Sequence, residues 1–529
     1  MFETHWCDQC NVPVLSGICG NCGKKLNSRM PDNLRPVFHE ELELLQKTTG
    51  EDLKEFSDFS LWANRRTYYW MGKPLFVVNG GNLLTNPTIS WKRKNRESVD
   101  QPFSIEVFRK ANSGPVRSLT EEAKQFIEET YRKYKEDVDL TTVAFSGGKD
   151  STVILDLAGK ALNKDSYKVI FIDTKFELPD TYEYVNEMAM QYEILKSEPK
   201  REPIDLWREM LPPSRRIRWC CSALKTGPYE LLVRRLSTKS CYQNLAFEGT
   251  RAAESTKRSK YDRISFQSKI HSQVSARPIF EWSTFEVWSY IIFNSLQFNY
   301  SYRHGYERIG CILCPFGTER DELMTKLTNV GLIEPFLAII EDFAVNSSIT
   351  CTEQYIANGN WKLRGGGKRF GNNQNMKVEK VGNEINALVS KRDSEMSLQQ
   401  LLSVIGRVIL VHSEEKIIIL NIENEQGSSL VRVEDKGLEL NIKVSLLGSS
   451  SSSLLTSILY QLNKYAYCVY CGVCESLCPV SAIKIAKESY VIDASKCVRC
   501  GKCIKLVSYG CHASLSKTVG GVFFGNRST

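Results

Sequence analysis

The sequence predicts an α/β protein: a parallel sheet with helices on both faces, flanked by small cysteine-bearing and β-rich domains at its amino end and a small cysteine-rich domain at its carboxyl end. Three observations predict it. Short apolar strands alternate with stretches of helical spacing in the middle of the chain. A Gly-rich turn joins one such strand to one such helix. Sixteen of the 18 cysteines fall into groups spaced like metal ligands.

At 529 residues the chain exceeds a single hydrophobic core, and about two to four domains are expected. Hydrophobic content of 42% and charged content of 25% are those of an ordinary globular protein. The net charge of +8 suits anionic ligands such as nucleotides and permits nucleic acid without demanding it. The opening Met1–Trp6 shows no basic segment followed by an apolar run, so no signal peptide is expected. No stretch reaches the ~18 uninterrupted apolar residues of a membrane span, so no membrane partner is expected. Thiolates kept for metal imply a reducing compartment, hence a cytoplasmic protein.

Residues 1–32 hold two knuckles, Cys7-x2-Cys10 and Cys19-x2-Cys22, with Gly20 and Gly23 relaxing the second. Four sulfurs from two tight turns predict a structural, tetrahedral Zn2+ site; rubredoxin-like iron is the competing metal. His5 is expected on the surface. Residues 33–118 read as a small β-rich domain, with Tyr68-Tyr69-Trp70 and Leu75–Val78 as strand material and turns at Gly80-Gly81 and Asn86-Pro87. Arg65-Arg66 and Lys92-Arg93-Lys94 interleave with Tyr68, Tyr69, Trp70 and Trp91, a pattern that can hold a nucleic-acid backbone and stack bases. A charged loop over an aromatic core gives the same pattern.

Residues 119–375 carry the nucleotide signal. Thr141–Phe145 reads as a buried strand; Ser146-Gly147-Gly148-Lys149-Asp150-Ser151 follows, and Val153, Ile154, Leu157, Ala158, Ala161 and Leu162 then recur at helical spacing. The loop therefore opens a helix, where unpaired N–H groups and the helix dipole favour an anion. Two glycines keep Cβ atoms out of the way of phosphate oxygens. It is not a Walker A loop. A second strand, Val169–Ile172, ends in Asp173-Thr174. A third, Leu245–Glu248, runs into Gly249-Thr250-Arg251-Ala252-Ala253-Glu254-Ser255, with Arg258 beyond. Ligands of open α/β sheets sit past the carboxyl ends of strands, so Ser146–Ser151, Asp173, Thr174, Gly249, Arg251, Glu254, Ser255 and Arg258 are the predicted nucleotide-binding residues.

These motifs, with Trp219-Cys220-Cys221-Ser222-Ala223-Leu224-Lys225, Pro278-Ile279, Trp282, Val287-Trp288 and Gly310-Cys311-Ile312-Leu313-Cys314-Pro315, occur in an order that resembles the phosphoadenosine/adenosine phosphosulfate (PAPS/APS) reductase family, within the PP-loop, HUP-like adenine nucleotide α-hydrolases. The resemblance covers about residues 138–320, and Trp361–Lys368 extends it. It implies one [4Fe–4S] cluster on Cys220, Cys221, Cys311 and Cys314 beside the substrate, with Lys149, Asp150, Asp173, Lys225 and Arg251 as catalytic residues. Four thiolates suit a cubane, and zinc on the same ligands is the alternative. Arg215, Arg216, Arg218 and Lys225 surround the tandem pair and would lower thiolate pKa values. The Glu-Cys-Gly nucleophile of the family's sulfonucleotide reductases is absent. Cys241 and Cys351 are the remaining cysteines; either could substitute for that nucleophile, but each is expected to be a buried, unreactive thiol. Relatives without that nucleophile include sulfur transferases that activate a target with ATP.

Residues 376–460 read as mixed α/β, with strands such as Val408–Val411 and Lys416–Leu420, and carry no recognisable chemistry. A serine run at 449–453 precedes a helical pattern that Ser453 is placed to cap. In residues 461–529, Cys468-x2-Cys471-x2-Cys474-x3-Cys478-Pro479 is a bacterial ferredoxin run, and Cys497-x2-Cys500-x2-Cys503 repeats it, with Cys511 after a longer gap. With the fourth cysteine crossing over, Cys468, Cys471, Cys474 and Cys511 hold one [4Fe–4S] cluster, and Cys497, Cys500, Cys503 and Cys478 the other.

The sequence thus predicts a redox or sulfur-transfer enzyme with three [4Fe–4S] clusters, Zn2+ and, with ATP, Mg2+. It binds ATP or APS/PAPS and takes electrons from an external donor through its own ferredoxin-like domain. The alternatives are ATP-dependent thiolation of DNA or tRNA, with a cysteine desulfurase as sulfur source, and a non-catalytic electron carrier or nucleotide sensor within a complex.

Overall fold

The structure is a computed structural model, and the residues described are 2–93, 102–238, 243–266, 270, 272–364, 375–392 and 395–517. The chain divides into two units: Met1–Ser197 with Leu232–Glu334, and Glu198–Leu231 with Pro335–Thr529.

The first unit centres on a six-stranded sheet in the order Ile194–Ser197, Lys168–Ile172, Leu140–Phe145, Asn244–Phe247, Gln273–Ala276, Ile264–Phe266. Every pairing is parallel except that of the last strand, which is antiparallel. Runs of consecutive buried residues along Leu140–Phe145, Lys168–Ile172 and Asn244–Phe247 show that both sheet faces are covered. Strand order reverses between Leu140–Phe145 and Asn244–Phe247, so the loops after these two strands flank the switch point where open α/β sheets bind ligands.

A helix, Ile105–Tyr134, starts on Ser104, whose hydroxyl accepts the Val107 N–H. It buries Phe108, Ala111, Val116, Leu119, Ala123 and Ile127 along one stripe. It packs with the helices Lys149–Ala161 and Thr284–Phe293 and runs across residue 118, where the sequence suggested a domain boundary. The β-rich stretch forms a five-stranded sheet, Arg35–Pro36, Leu61–Asn64, Thr67–Trp70, Lys73–Gly80 and Pro87–Trp91, antiparallel throughout.

In the second unit, Met376–Val381, Glu384–Ser390, Glu439–Leu447, Gly427–Asp435, Ile417–Asn424 and Arg407–Ser413 form an antiparallel sheet in that order. Burial alternates along Glu384–Ser390 and Glu439–Leu447, as it does in a sheet with one packed face. The helix Ser452–Tyr467 packs against this sheet. Its cap is Ser451 rather than Ser453: the Ser451 hydroxyl accepts the Ser453 N–H at 3.2 Å. A hairpin, Ile483–Ala486 with Ser489–Ile492, separates the two cysteine runs.

Among the described residues one helix, Glu319–Asn346, is long and apolar enough by composition to cross a membrane. It is kinked at Asn329, and Leu323, Met324, Ile333 and Ile340 are buried while Val330, Leu332 and Val345 are exposed.

Candidate functional site

The loop predicted to hold a nucleotide joins Leu140–Phe145 to the helix Lys149–Ala161. Gly147 has φ of +71°, and a Cβ there would meet Thr181 at 2.9 Å. The Ser151 hydroxyl accepts the Ser146 N–H at 3.1 Å and donates to the Gly148 carbonyl at 2.8 Å. The buried Tyr302 hydroxyl accepts the Lys149 N–H at 2.9 Å. Among the described residues, the N–H groups of Gly147, Gly148, Asp150 and Ser151 have no partner. The turn is thus braced at two amides and open at four, at a helix amino terminus suited to an anion.

The charged residues of the loop form a triad. The Lys149 ammonium donates to Asp150 at 3.0 Å and to the Glu307 carbonyl at 3.3 Å; the Arg251 Nε donates to the other Asp150 oxygen at 2.6 Å. A further Arg251 nitrogen donates to the Trp282 carbonyl at 3.0 Å. Burial opposes the Asp150 charge, but Arg251 and then Lys149 outweigh it and hold the carboxyl down to about 2. Asp150 thereby fixes both cations at the loop, and one positive charge remains uncompensated.

Gly249 meets the loop backbone: a Cβ there would lie 2.8 Å from the Asp150 carbonyl carbon and 3.0 Å from the Ser151 nitrogen. Glu254 accepts the Arg251 N–H at 3.0 Å and pairs with Arg258, so both predicted residues are engaged within their own turn. The Ser255 hydroxyl accepts the Arg258 N–H at 3.2 Å.

Asp173 is buried at the end of Lys168–Ile172 and accepts from the Lys175 N–H at 2.7 Å and the Tyr182 hydroxyl at 2.9 Å. Thr174 donates to Glu177 at 2.7 Å, and the Cys311 sulfur lies 3.7 Å from the Thr174 hydroxyl and 4.0 Å from the Glu177 carboxylate. Cys311 and Cys314 are both half-buried. Tyr302, Tyr182, Glu177 and the Glu307 carbonyl escaped sequence reasoning, because each reaches its partner through the fold and belongs to no local motif.

Cys220 and Cys221 belong to the second unit and open a π-helical turn, Cys221–Thr226, that also carries Lys225. The Cys221 thiol is lowered to about 5: Cys220 contributes most, burial opposes, and the charges of Arg218 and Lys225 add to the fall. The preceding segment is braced by the Ser214 hydroxyl, which donates to the Arg364 carbonyl at 2.7 Å, and by Arg364, which donates to Pro212 at 2.8 Å. Trp361 is fully buried against Trp207. Residues 365–368, Cys241 and Lys94 lie outside the described residues.

The amino-terminal sulfurs of Cys7, Cys10, Cys19 and Cys22 all lie within 4.8 Å of one another, with Cys7–Cys22 at 3.6 Å and Cys10–Cys19 at 3.7 Å. Four thiolates about 2.3 Å from a tetrahedral zinc stand about 3.8 Å apart, so these residues fit that metal. Gly20 allows the knuckle to touch the helix Ile105–Tyr134: a Cβ there would lie 2.9 Å from the Ala111 carbonyl oxygen. Asn112, fully buried on that helix, accepts the Leu15 N–H at 2.8 Å and donates to the Pro13 carbonyl at 3.0 Å.

In the carboxyl-terminal run, Cys471 is held well above the usual thiol range, first by burial and then by the charges of Cys511, Cys474 and Cys468. Cys503 is pushed up to about 12 by burial; Lys464 opposes, and Cys474, Cys497 and Cys500 add to the rise. Cys474 acts on Cys471 and on Cys503, so the charges of the two cysteine runs are coupled to each other. Cys478 is buried, its sulfur accepting the Ala482 N–H at 3.2 Å. The buried Tyr490 hydroxyl hydrogen-bonds Cys474 and is pushed well above its usual range, first by burial and then by the charges of Cys474 and Cys503; a cluster of thiolates with a hydroxyl aimed at it fits a thiolate-bound cofactor.

Two expectations need correcting. His5 is buried in the strand His5–Cys7. Cys351 is exposed. Of the two readings of the basic and aromatic stretch, the aromatic core holds for Tyr68 and Trp70, which are buried in it and cannot stack bases. Arg66 and Arg93 donate to backbone carbonyls of their own sheet.

The parallel sheet with a Gly-rich, cation-flanked loop at its switch point lies within residues 140–316, which match the family model of the phosphoadenosine phosphosulfate reductase domain. The chain is 33% identical over 274 residues to an uncharacterised protein of Methanocaldococcus jannaschii, covering 51% of this chain and 54% of that one. A second uncharacterised protein of the same organism is 31% identical over 266 residues, covering 49% and 60%. The chain thus spans little more than half the length of these two relatives. It is 27% identical over 201 residues to the adenosine 5'-phosphosulfate reductase of Oceanobacillus iheyensis, covering 37% and 78%. Among solved structures, PAPS reductase from Candida auris in a phosphate complex aligns with a TM-score of 0.28 at 20% identity, covering 41% of this chain and 98% of that one. FMN adenylyltransferase of Candida glabrata with ATP aligns with a TM-score of 0.29 at 16% identity, covering 41% and 65%. Likenesses at these scores carry no argument about this chain.

Proposed function

We propose that this chain is a cytoplasmic iron–sulfur enzyme. It binds an adenine nucleotide, ATP or an adenylyl sulfate, on the Ser146–Ser151 loop and carries out redox or sulfur-transfer chemistry at its reactive end. The observation that carries the reading is the set of open N–H groups at the sheet's switch point, flanked by the Lys149–Asp150–Arg251 triad. The loop amides hold the phosphate tail, Lys149 and Arg251 neutralise charge that develops on it, and Asp150 keeps both cations aimed. With ATP, the same groups hold the leaving pyrophosphate while the α-phosphate is attacked, Mg2+ accompanying the nucleotide.

The family's cysteine pattern supports placing one [4Fe–4S] cluster on Cys220, Cys221, Cys311 and Cys314, and the ferredoxin spacing supports two more in residues 461–529. When bound, such clusters supply single electrons at low potential. The Cys7, Cys10, Cys19 and Cys22 site is structural, since four protein ligands leave zinc no open position. The absence of a Glu-Cys-Gly nucleophile weighs against thiol-dependent sulfonucleotide reduction and towards sulfur delivery to an activated acceptor.

The test is isothermal titration with ATP, adenylyl sulfate and phosphoadenylyl sulfate, followed by assays for released pyrophosphate and sulfite with an external reductant, with and without tRNA or DNA as acceptor. Binding with turnover supports an enzyme; binding without turnover under every condition supports a nucleotide sensor or electron carrier.

A further inference from the structure

Lys464 lies in the second unit, on the helix Ser452–Tyr467, and is 1% exposed. Lysine is almost never buried without a partner for its charge. Its ammonium donates to the Cys503 carbonyl at 2.7 Å and lies 5.9 Å from the centre of the Tyr490 ring. A neutral carbonyl satisfies one of its three donors and none of its charge. The Lys464 carbonyl in turn accepts the Cys468 N–H at 2.9 Å, so the residue touches one cysteine of each run. Cys474 and Cys503 are the charges that act most on the buried Tyr490.

We propose that Lys464 is a buried positioning cation at the junction of the two carboxyl-terminal cysteine groups, raising the reduction potential of the cofactors they hold. The inference rests on the reading of those groups as iron–sulfur sites. Each cluster accepts one electron there, with no bond formed or broken, and the reduced state carries one more negative charge than the oxidised state. A fixed positive charge in a dry site favours the more negative state. Lys464 therefore lets the module take electrons from a one-electron carrier protein of moderate potential. Because it touches a cysteine of each run, its charge raises the potentials of both groups in the same direction.

The full chain is loaded anaerobically with ferrous iron and sulfide, analysed for both, and titrated with dithionite while electron paramagnetic resonance is recorded. Signals of the module are those lost in Cys471→Ser and Cys500→Ser. Lys464→Met, measured beside Lys464→Gln and Lys464→Arg, should keep its iron yet shift the reduction equilibrium against the electron by at least tenfold, about 59 mV for one electron. Lys464→Arg should stay within about threefold of the wild type, about 30 mV. Unshifted midpoints in Lys464→Met and Lys464→Gln would overturn the proposal. Loss of iron from both uncharged variants would also overturn it, assigning the lysine to assembly. A wild-type chain that takes up no iron at these cysteines would instead remove the iron–sulfur reading itself, visible in the metal analysis before any potential is measured.

Discussion

Gly249 and Asp150 show how little freedom single residues have at this loop. A methyl group on Gly249 would press within 3.0 Å of the Asp150 and Ser151 backbone, which a flexible side chain could not relieve. Gly249→Ala should therefore displace the loop, cost about 1–3 kcal/mol of stability, and weaken nucleotide binding in a titration. Unchanged affinity would mean the loop amides do not contact the ligand. Asp150 acts through charge. Its folded value of about 2 lies below the ordinary 3.8, so its contribution to stability is complete above that ordinary value and is lost as pH falls towards 2. Between pH 4 and 2 the wild type should lose more thermal stability than Asp150→Asn, whose amide cannot titrate; parallel curves would contradict the triad.

Between elements, the densest charge network sits beneath the β-rich sheet. Glu41, on the helix His39–Thr49, is fully buried, paired with Arg35 at 2.6 and 2.7 Å and bonded to Arg320 and Tyr68. Burial opposes its ionisation and the two arginines override it. Glu41→Gln would strand two buried guanidinium groups and should cost about 3–5 kcal/mol, measured by chemical denaturation; a loss under about 1 kcal/mol would show that water reaches the cluster. Nothing in the sequence announced this network, because Arg35, Glu41, Tyr68 and Arg320 lie on four elements and Arg320 stands 279 residues from the Glu41 it pairs with. What was legible had a local cause. The strand–loop–helix at 140–161 was written in β-branched residues, two glycines and a period of 3.6, and the knuckles in cysteine spacing. The misread residues had their fate set by tertiary packing. His5 pairs into a strand and is covered, and the serine cap shifts to Ser451 where the helix begins.

At the scale of the whole molecule, the chain interleaves in sequence: residues 198–231 leave the nucleotide unit and join the carboxyl-terminal unit before the chain returns. Alternating strands and helices made the parallel sheet predictable, but which segments share a unit depends on long-range contacts that no local pattern encodes. The metal inventory follows from the proposed cysteine assignments. The anaerobically loaded chain should hold about twelve irons in three clusters, together with zinc. Cys220→Ser and Cys311→Ser should each lose the same about four irons; additive losses in the double variant would refute a shared cluster. The claim on which the account rests is that the Ser146–Ser151 loop grips an adenine nucleotide, and calorimetric titration of the wild type against Lys149→Met tests it most directly. The account predicts saturable binding of ATP or an adenylyl sulfate, weakened about 10- to 100-fold in the variant by the loss of one charge-assisted contact. No binding by the wild type, or equal affinity in both proteins, would contradict it.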